Sequence, residues 1–207
     1  MSMLAVTTGS SKAWRRPVTR FKRALEPNIK LNRLTLRAFT DADKDRLFQS
    51  VRHSSAELMP FLPWCHPQYD RKDAKTWIRF AQATWRDRTQ FAFLIEASAT
   101  GALIGGVGLD SPSELGDANL GYWVRTDCTG YGYATEAARG LAALGLQHLE
   151  LKRVLITLSV HNSASRQVAI KTGAQFLREE KDGLTLHEVK HDALIYAFTQ
   201  PRLRLTA

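Results

Sequence analysis

The chain is short of the residues that would tie it to a disulfide, a metal or a membrane. Its 207 residues include two cysteines, Cys65 and Cys128, and their separation matches no metal-binding spacing. We therefore expect free thiols, no metal and a reducing compartment, for which the cytoplasm is the simplest choice. No apolar run approaches the roughly 20 residues that a membrane-spanning helix needs, so we expect no membrane partner.

Positive charge is in excess, but it is concentrated at one end of the chain. The net charge is +9, and residues 1–30 contribute +6 of it, because seven basic residues there accompany a single acid, Glu26. We expect residues 1–29 to be a basic, mobile extension that could touch RNA or the ribosome weakly. With 44% hydrophobic residues in the whole chain, residues 30–207 are expected to form one folded domain.

Hydrophobic patterning predicts a mixed α/β domain of the α+β kind with one sheet. Leu34 and Leu36 alternate with polar residues, as in a half-buried strand. Thr40 and Asp43 have the spacing of a capping box before a helix. The expected order is strand, helix, helix, three strands, helix, strand, helix and two strands. We place the turn between the last two strands at residues 181–183, Lys-Asp-Gly.

Three prolines interrupt the apolar stretch from 53 to 67, which we call the proline segment. Because proline breaks helices and central strands, we expect little regular structure there. The segment could form a wall or lid over a substrate site. Its aromatic residues could equally close one end of the hydrophobic core, and the sequence leaves both interpretations open.

Residues 119–136 carry the clearest functional signal of the sequence. An apolar strand leads into a loop with Gly130 and Gly132, and a helix is expected from Tyr133 onward. Such a unit directs backbone N–H groups and the positive end of a helix dipole at one point, which suits a phosphate. A dinucleotide fold is not indicated, because position 135 is threonine where its third glycine would stand. No Walker lysine follows either, which argues against a nucleoside triphosphatase.

Thr129, Gly132 and Ala134 occupy the positions of the acyl-CoA-binding signature of the GNAT superfamily of N-acetyltransferases, Gln/Arg-x-x-Gly-x-Gly/Ala. Within that superfamily the chain resembles the branch that acetylates the N-termini of ribosomal proteins. The stretches that carry this second resemblance are 58–64, 119–125, 130–137, 162–165 and 191–192. Thr129 departs from the usual Gln or Arg, although its hydroxyl could still donate one hydrogen bond.

The resemblance implies a GNAT-type fold, in which a single mixed, mostly antiparallel sheet is splayed in the middle and flanked by helices. It also implies that acetyl-CoA, a co-substrate, lies in the splay and gives its acetyl group to a primary amine by direct attack in a ternary complex. The acceptor could be a protein N-terminus, or a small amine such as an amino acid, a polyamine or an antibiotic. The alternative of a different class is a non-catalytic module that binds CoA as a sensor or associates with the ribosome. Both a monomer and a homodimer are compatible with the resemblance.

The resemblance assigns roles to individual residues as well. A backbone N–H near Val124 would stabilise the oxyanion, and Ser165 would act as the general acid for the leaving thiolate. From the residue types alone, Asn162 and Ser165 could instead cap the helix that starts there. The residues expected to bind acetyl-CoA are Trp123, Val124, Arg125, Thr129, Gly130, Tyr131, Gly132, Tyr133, Ala134, Thr135, Asn162 and Ser165.

The sequence does not identify the base that would deprotonate the acceptor amine. Asn119 stands where many relatives could use a glutamate, and an amide cannot take up the proton. An N-terminal α-amine, with an ordinary pKa of about 7.7–8.0, would need little help. The candidates that remain open are Glu57, Asp110, Glu179, Glu180, His53 and His66.

Overall fold

Eight strands form one sheet in the computed structural model, which describes residues 19–200. The strands are β1 (Asn28–Lys30), β2 (Leu34–Ala38), β3 (Phe91–Ala97), β4 (Leu103–Leu109), β5 (Asp117–Val124), β6 (Arg153–Ser159), β7 (Gln175–Leu186) and β8 (Val189–Thr199). Their order across the sheet is β1-β2-β3-β4-β5-β6-β8-β7, and β5–β6 is the parallel pair among antiparallel neighbours. The expected mixed, mostly antiparallel sheet is confirmed.

Helices of the described residues cover both faces of this sheet. They are α1 (Lys44–His53), α2 (Ser55–Leu58), α3 (Arg71–Arg86), α4 (Tyr133–His148) and α5 (Ser163–Thr172). On one face Leu141 of α4 shares a core with Phe93 of β3. On the other face Leu47 of α1 and Ile78 of α3 share a second core with Leu94 of β3. Successive residues of β3 enter different cores because side chains alternate across a strand.

Capping contacts fix several helix ends, and the capping box expected at Thr40 and Asp43 is confirmed. The Asp43 carboxylate accepts hydrogen bonds from the backbone N–H and the hydroxyl of Thr40, both at 2.8 Å, in the turn that leads into α1. The Asp70 carboxylate accepts from the N–H of Lys72 at 2.6 Å and so caps α3. Gly173 follows α5 with a φ of +84°, a conformation that favours glycine at helix ends.

Strands β5 and β6 separate part-way along their length. Their paired residues end at Asn119 and Leu155, although β5 continues to Val124 and β6 to Ser159. On its other edge β5 stays paired with β4 as far as Val124. The expected splay is therefore confirmed, and it opens a cleft in which one wall is the edge of β5.

The folded domain begins earlier than the expected boundary near residue 30. Phe21 and Leu25 are 2% and 7% exposed in the core around α4, and the ring of Phe21 stacks on Phe91 at 4.9 Å. Lys22 and Arg23 lie 3.4 and 2.9 Å from the carboxylate of Glu150. The boundary was placed too late because basic residues surround these apolar ones and hide their pattern. The rest of the predicted extension, residues 1–18, lies outside the described part of the chain.

The last turn also differs from the expected one at residues 181–183. Strand β7 runs through these residues, and the chain reverses at His187 and Glu188, where φ is +48° and +68°. The pairing of β7 with β8 shifts between Glu180 and Leu184, which marks a bulge. A Cβ on Gly183 would lie 2.8 Å from the Glu180 carbonyl oxygen, so the glycine fits this bulge and not a turn.

Neither a membrane span nor a metal cluster is found in residues 19–200. No helix in that range combines the length and the apolar character needed to cross a bilayer. No three side chains of His, Cys, Asp or Glu within it are grouped so that they could hold a metal ion. Cys65 and Cys128 are free thiols, and burial raises the pKa of Cys65 to about 11, so this thiol stays protonated at neutral pH.

Candidate active site

A glycine loop joins β5 to α4 and leaves backbone N–H groups available to a ligand. Gly130 and Gly132 have φ of +83° and +80°, which residues with a side chain rarely adopt. Gly132 is the N-cap of α4 and has no side chain with which to cap it. The first N–H groups of α4 therefore lack an intrahelical acceptor and lie at the positive end of the helix dipole. This end of the helix can bind an anion.

Arg33, just before β2, holds this loop in place. Its backbone N–H and its Nε donate to the Glu136 carboxylate at 2.7 and 2.8 Å, and its Nη1 donates to the Tyr131 carbonyl at 3.0 Å. The guanidinium also lies 5.0 Å from the centre of the Tyr133 ring. Arg33 thus offsets the acidic side chain in the first turn of α4 and links the loop to the sheet.

The loop opens into a large cavity of about 640 Å³. The end of β5, the loop, one side of α5 and the proline segment enclose it. Its lining residues are Glu57, Leu58, Pro60, Phe61, Leu62, Tyr122, Trp123, Val124, Thr126, Cys128, Thr129, Gly130, Gly132, Tyr133, Ala134, Thr135, Asn162, Ala164, Ser165, Gln167, Val168 and Lys171. The cavity can take an elongated ligand that has a phosphate at the loop end.

The edge of β5 that faces the cleft offers further backbone groups. The carbonyl of Asn119 and the N–H of Arg125 bond on the β4 side of the strand. Backbone groups alternate in direction along an antiparallel strand, so residues at even positions of β5 point the other way. The N–H and C=O groups of Tyr122 and Val124 consequently face the cleft, where β6 no longer pairs with β5.

The hydroxyl groups of Tyr122 and Ser165 lie 2.9 Å apart, and both residues line the large cavity. The Tyr122 hydroxyl also lies within hydrogen-bond distance, 3.2 Å, of the Ser165 carbonyl oxygen. Burial raises the pKa of Tyr122 to about 12, although the hydrogen bond with Ser165 opposes this shift. The tyrosine is therefore protonated at neutral pH, and the pair can hold or pass a proton.

Asn162 caps α5, as its residue type suggests. Its Oδ1 accepts a hydrogen bond from the backbone N–H of Ser165 at 2.9 Å. The cap fixes the first turn of α5, and with it the position of the Ser165 hydroxyl against β5. Asn162 nevertheless borders the cavity, so capping and ligand binding are compatible here.

A small cavity of about 60 Å³ lies beside the large one and shares part of its wall. It is lined by Phe61, Leu62, Asn119, Leu120, Gly121, Tyr122, Ile156, Thr157, Leu158, Ser159, Asn162, Ser165, Leu184 and Leu186. Among these described residues none carries a charge at neutral pH. The β7–β8 turn reaches the proline segment here, since His187 Nε2 lies 2.6 Å from the Met59 carbonyl oxygen.

The proline segment fulfils both interpretations that its sequence left open. Trp64 and Cys65 are buried in the second core, where Trp64 meets Trp123 with ring centres 6.2 Å apart. Phe61 and Leu62, a few residues earlier, line both cavities. One end of the segment therefore closes the core and the other end walls the cleft.

Residues 33–175, more than half of the chain, match the family model described as the acetyltransferase (GNAT) domain. The chain belongs to the GNAT acetyltransferases. It is therefore an acetyl-CoA-dependent acetyltransferase, and the family expected from Thr129, Gly132 and Ala134 is confirmed. The anion-binding loop and the free edge of β5 border the same large cavity, which fits the phosphates and the amide-bearing arm of acetyl-CoA.

Relatives and solved structures share this GNAT fold. YdaF of Bacillus subtilis strain 168, provisionally named a ribosomal N-acetyltransferase, is 31% identical over 171 residues, which cover 79% of this chain and 90% of that protein. RimL, a ribosomal L7/L12 α-N-protein acetyltransferase solved with coenzyme A, gives a TM-score of 0.76 at 21% identity, covering 83% of this chain and 97% of that one. MccE, the microcin C7 self-immunity acetyltransferase solved with acetyl-CoA and AMP, gives 0.78 at 20% identity, covering 84% and 97%.

Ten of the twelve residues expected to bind acetyl-CoA line the large cavity of this GNAT domain. They are Trp123, Val124, Thr129, Gly130, Gly132, Tyr133, Ala134, Thr135, Asn162 and Ser165. Arg125 and Tyr131 lie outside the lining. The Arg125 guanidinium turns to the Asp127 carboxylate, at 3.0 and 2.6 Å, and Tyr131 is 65% exposed. The Thr129 hydroxyl donates to the Thr126 carbonyl at 2.8 Å, so the hydrogen bond expected for a ligand is used within the turn.

Several residues of the lining were not expected from the sequence. Val168 and Lys171 follow Ala164 at helical spacing on the cavity side of α5, which is a signal that the sequence does contain. Tyr122 is different, because its partner Ser165 lies 43 positions away and no local pattern joins them. The contact exists because β5 and α5 meet at the splay.

One of the six candidate bases borders a cavity. Glu57 lies in the wall of the large cavity, where its carboxylate accepts a hydrogen bond from the Thr126 hydroxyl at 2.9 Å. The other five, His53, His66, Asp110, Glu179 and Glu180, line neither of the two cavities. The small cavity therefore contains none of the six.

Replacing Arg33 with alanine is expected to weaken CoA binding about tenfold, the equivalent of one charge-assisted hydrogen bond. Without the guanidinium, the Glu136 carboxylate would repel the phosphates and the loop would lose its link to the sheet. Calorimetric titration with CoA measures the effect. The double variant R33A/E136Q should recover part of the affinity, because it removes the repulsion. Unchanged affinity in the single variant would contradict this role of Arg33.

Proposed function

We propose that the protein acetylates the α-amino group of a protein N-terminus, by direct attack of that amine on acetyl-CoA in a ternary complex. The observation that carries the proposal is the small, uncharged cavity beside the large one. It has room for a short N-terminal side chain. A polyamine or an aminoglycoside would need carboxylates to pair with its several positive charges, and the described lining of the small cavity offers none.

Different groups of this chain bind the cofactor, stabilise the oxyanion and protonate the leaving thiolate. The free N–H groups of residues 130–135 hold the pyrophosphate, and the cleft-facing N–H of Tyr122 stabilises the oxyanion, an effect of about 3 kcal/mol for a well-placed donor. The N–H of Val124, the residue expected from the sequence, lies about 7 Å further along the strand, where it pairs with the pantetheine arm. Bound acetyl-CoA supplies the carbonyl carbon that is attacked and the thiolate that leaves. Ser165, supported by Tyr122, acts as the general acid for that thiolate.

A ribosomal protein is the acceptor that we favour. YdaF shares 31% of its residues with this chain over most of both proteins, and its provisional name assigns it to ribosomal substrates. RimL has the same fold and carries a name of the same kind. The small cavity suits a short first residue such as serine or alanine, and two solved proteins of this fold are named as ribosomal-protein serine and alanine acetyltransferases.

The experiment is a thiol-release assay with acetyl-CoA and a panel of amines. Peptides that begin with Ser or Ala should be acetylated, whereas the same peptides with an acetylated N-terminus should not. A peptide that begins with Trp tests the size of the cavity and should react at least tenfold more slowly. Faster turnover of spermidine or kanamycin than of any peptide would overturn the proposed acceptor class.

A further inference from the structure

We propose that Asn119 binds the N–H of the incoming amine, and that no side chain around it deprotonates an ammonium ion, so that the enzyme selects amines that are already neutral. This inference rests on the proposed function and specifies how the acceptor is chosen. It implies a preference for α-amino groups over lysine side chains that has a chemical cause and not only a steric one.

Asn119 lies at the point where β5 and β6 part. It is the last residue of β5 that pairs with β6, so its side chain lies where the splay begins. It lines the small cavity, and its Oδ1 is buried without a hydrogen-bond partner among residues 19–200. A buried carbonyl oxygen without a partner is costly, which suggests that a bound molecule completes it.

The Asn119 Oδ1 atom can accept a hydrogen bond from an amine. An amine that attacks a carbonyl must direct its lone pair at the carbon, so its N–H bonds have to be held by acceptors. An amide oxygen accepts such a bond but does not take the proton at neutral pH. Asn119 can therefore orient a neutral amine, whereas it cannot deprotonate an ammonium ion.

The elements that surround Asn119 in the small cavity contribute no charged side chain to its lining. The proline segment contributes Phe61 and Leu62 to the small cavity, and β7 contributes Leu184 and Leu186. The lining parts of β6 and α5 add apolar, hydroxyl and amide groups. On β5 the titratable neighbours are Tyr122, whose hydroxyl already bonds to Ser165, and Asp117, whose carboxylate is paired with the Arg153 guanidinium.

Charged groups occur just beyond this lining, and each is engaged elsewhere. Asp110 lies across from Asn119 on the β4 side, and its carboxylate accepts a hydrogen bond from Gln90 at 2.7 Å. Glu57 borders the large cavity and bonds to Thr126. His187 sits at the β7–β8 turn against Met59. Asp110 is the nearest of these along the sheet, so it is the group that a test has to exclude.

All protons of the reaction are accounted for without a base in the protein. An ammonium ion loses one proton to solvent before it binds, and the neutral amine keeps two. When the C–N bond forms and the C–S bond breaks, one of these protons stays on the amide nitrogen. The other is finally carried by the sulfur of CoA, for which the Tyr122–Ser165 pair offers a route.

The size of the expected selectivity follows from ordinary pKa values. At pH 7 the neutral fraction of an α-amine with a pKa of about 7.7–8.0 exceeds that of a lysine side chain, pKa about 10.4, roughly 200- to 400-fold. An enzyme that binds only the neutral amine inherits this ratio. A base in the small cavity would reduce it, because the base could deprotonate either amine after binding.

The test is the pH profile of kcat/KM for two peptides that differ at the first residue, alanine in one and the more basic β-alanine in the other. For wild-type protein the rising limb should follow the pKa of each free peptide, so the two limbs should be separated by the difference between those pKa values. Limbs that coincide would show that a group of the enzyme controls the reaction and would overturn the inference. Absence of acetylation of any peptide would instead overturn the proposed function.

Three variants assign the effect to residues. Asn119→Asp places a carboxylate of the same shape at the site and should bring the two limbs closer together in pH. At pH 7 the ratio of kcat/KM between the two peptides should then fall at least tenfold. Asn119→Leu should raise KM for the peptide about tenfold and leave both limbs in place. Asp110→Asn should leave the limbs where they are; a displaced limb in this variant would identify Asp110 as the base. CoA binding by each variant checks that it is folded, and a folded Asn119→Leu with wild-type KM would contradict the contact.

Discussion

Replacing Gly105 with alanine is expected to destabilise the protein by about 3 kcal/mol or more, at the upper end of what overpacking costs. Gly105 of β4 lies across from Val124 of β5. A Cβ at this position would overlap the carbonyl oxygen of Trp123 and lie 2.9 Å from the Val124 Cα. Because both are backbone atoms, no side-chain rotation can relieve the contact, and β5 would have to move. Strand β5 forms one wall of the cleft, so CoA binding should be lost as well.

Gly140→Ala provides the matched control for this variant. There the new Cβ would lie 2.7 Å from a methyl group of Leu31, which is the end of a flexible side chain. Alanine also favours a helix interior over glycine by about 1 kcal/mol, so α4 should tolerate the change. Urea unfolding measures the free energy of unfolding of both variants. A Gly105→Ala protein with wild-type stability would show that β4 and β5 adjust easily, against the close approach described here.

The parts of the site that follow one another in the chain could be predicted from the sequence. The loop from Thr129 to Thr135 is local, because two glycines and a helix start fix its shape whatever surrounds it. The capping signals at Thr40 and Asn162 are local in the same sense, and both are confirmed. Such signals depend on neighbours within a few residues, so tertiary packing seldom changes them.

The parts that could not be predicted depend on contacts between distant segments. Phe21 belongs to the core because it stacks on Phe91, and nothing next to it in the chain reveals that contact. The turn was misplaced at residues 181–183 because a glycine in a bulge and a glycine in a turn look alike in a sequence. Asn119 could be seen to lack the chemistry of a base, but its unpaired oxygen appears only where β5 and β6 part.

The Tyr122–Ser165 pair should behave as one unit in catalysis. We expect Ser165→Ala and Tyr122→Phe each to lower kcat about 10²-fold, the low end of the range for general acid–base catalysis, because a thiolate leaves without strong help. The double variant should be no slower than either single variant, since groups that act in series are not additive. Thiol release at saturating acetyl-CoA and peptide measures kcat, and CoA titration verifies that binding is kept.

The pH dependence separates this role from a structural one. Burial raises the pKa of Tyr122 to about 12, so the hydroxyl keeps its proton throughout the working range and adds no limb of its own to the profile near neutrality. Wild type and Tyr122→Phe should therefore have profiles of the same shape at different heights. Tyr196→Phe, a buried tyrosine that lines neither cavity, is the control and should keep wild-type turnover. Full turnover by Ser165→Ala would remove the assignment of the acid and leave the cavity and the acceptor proposal standing, because the thiolate would then take its proton from water or directly from the amine.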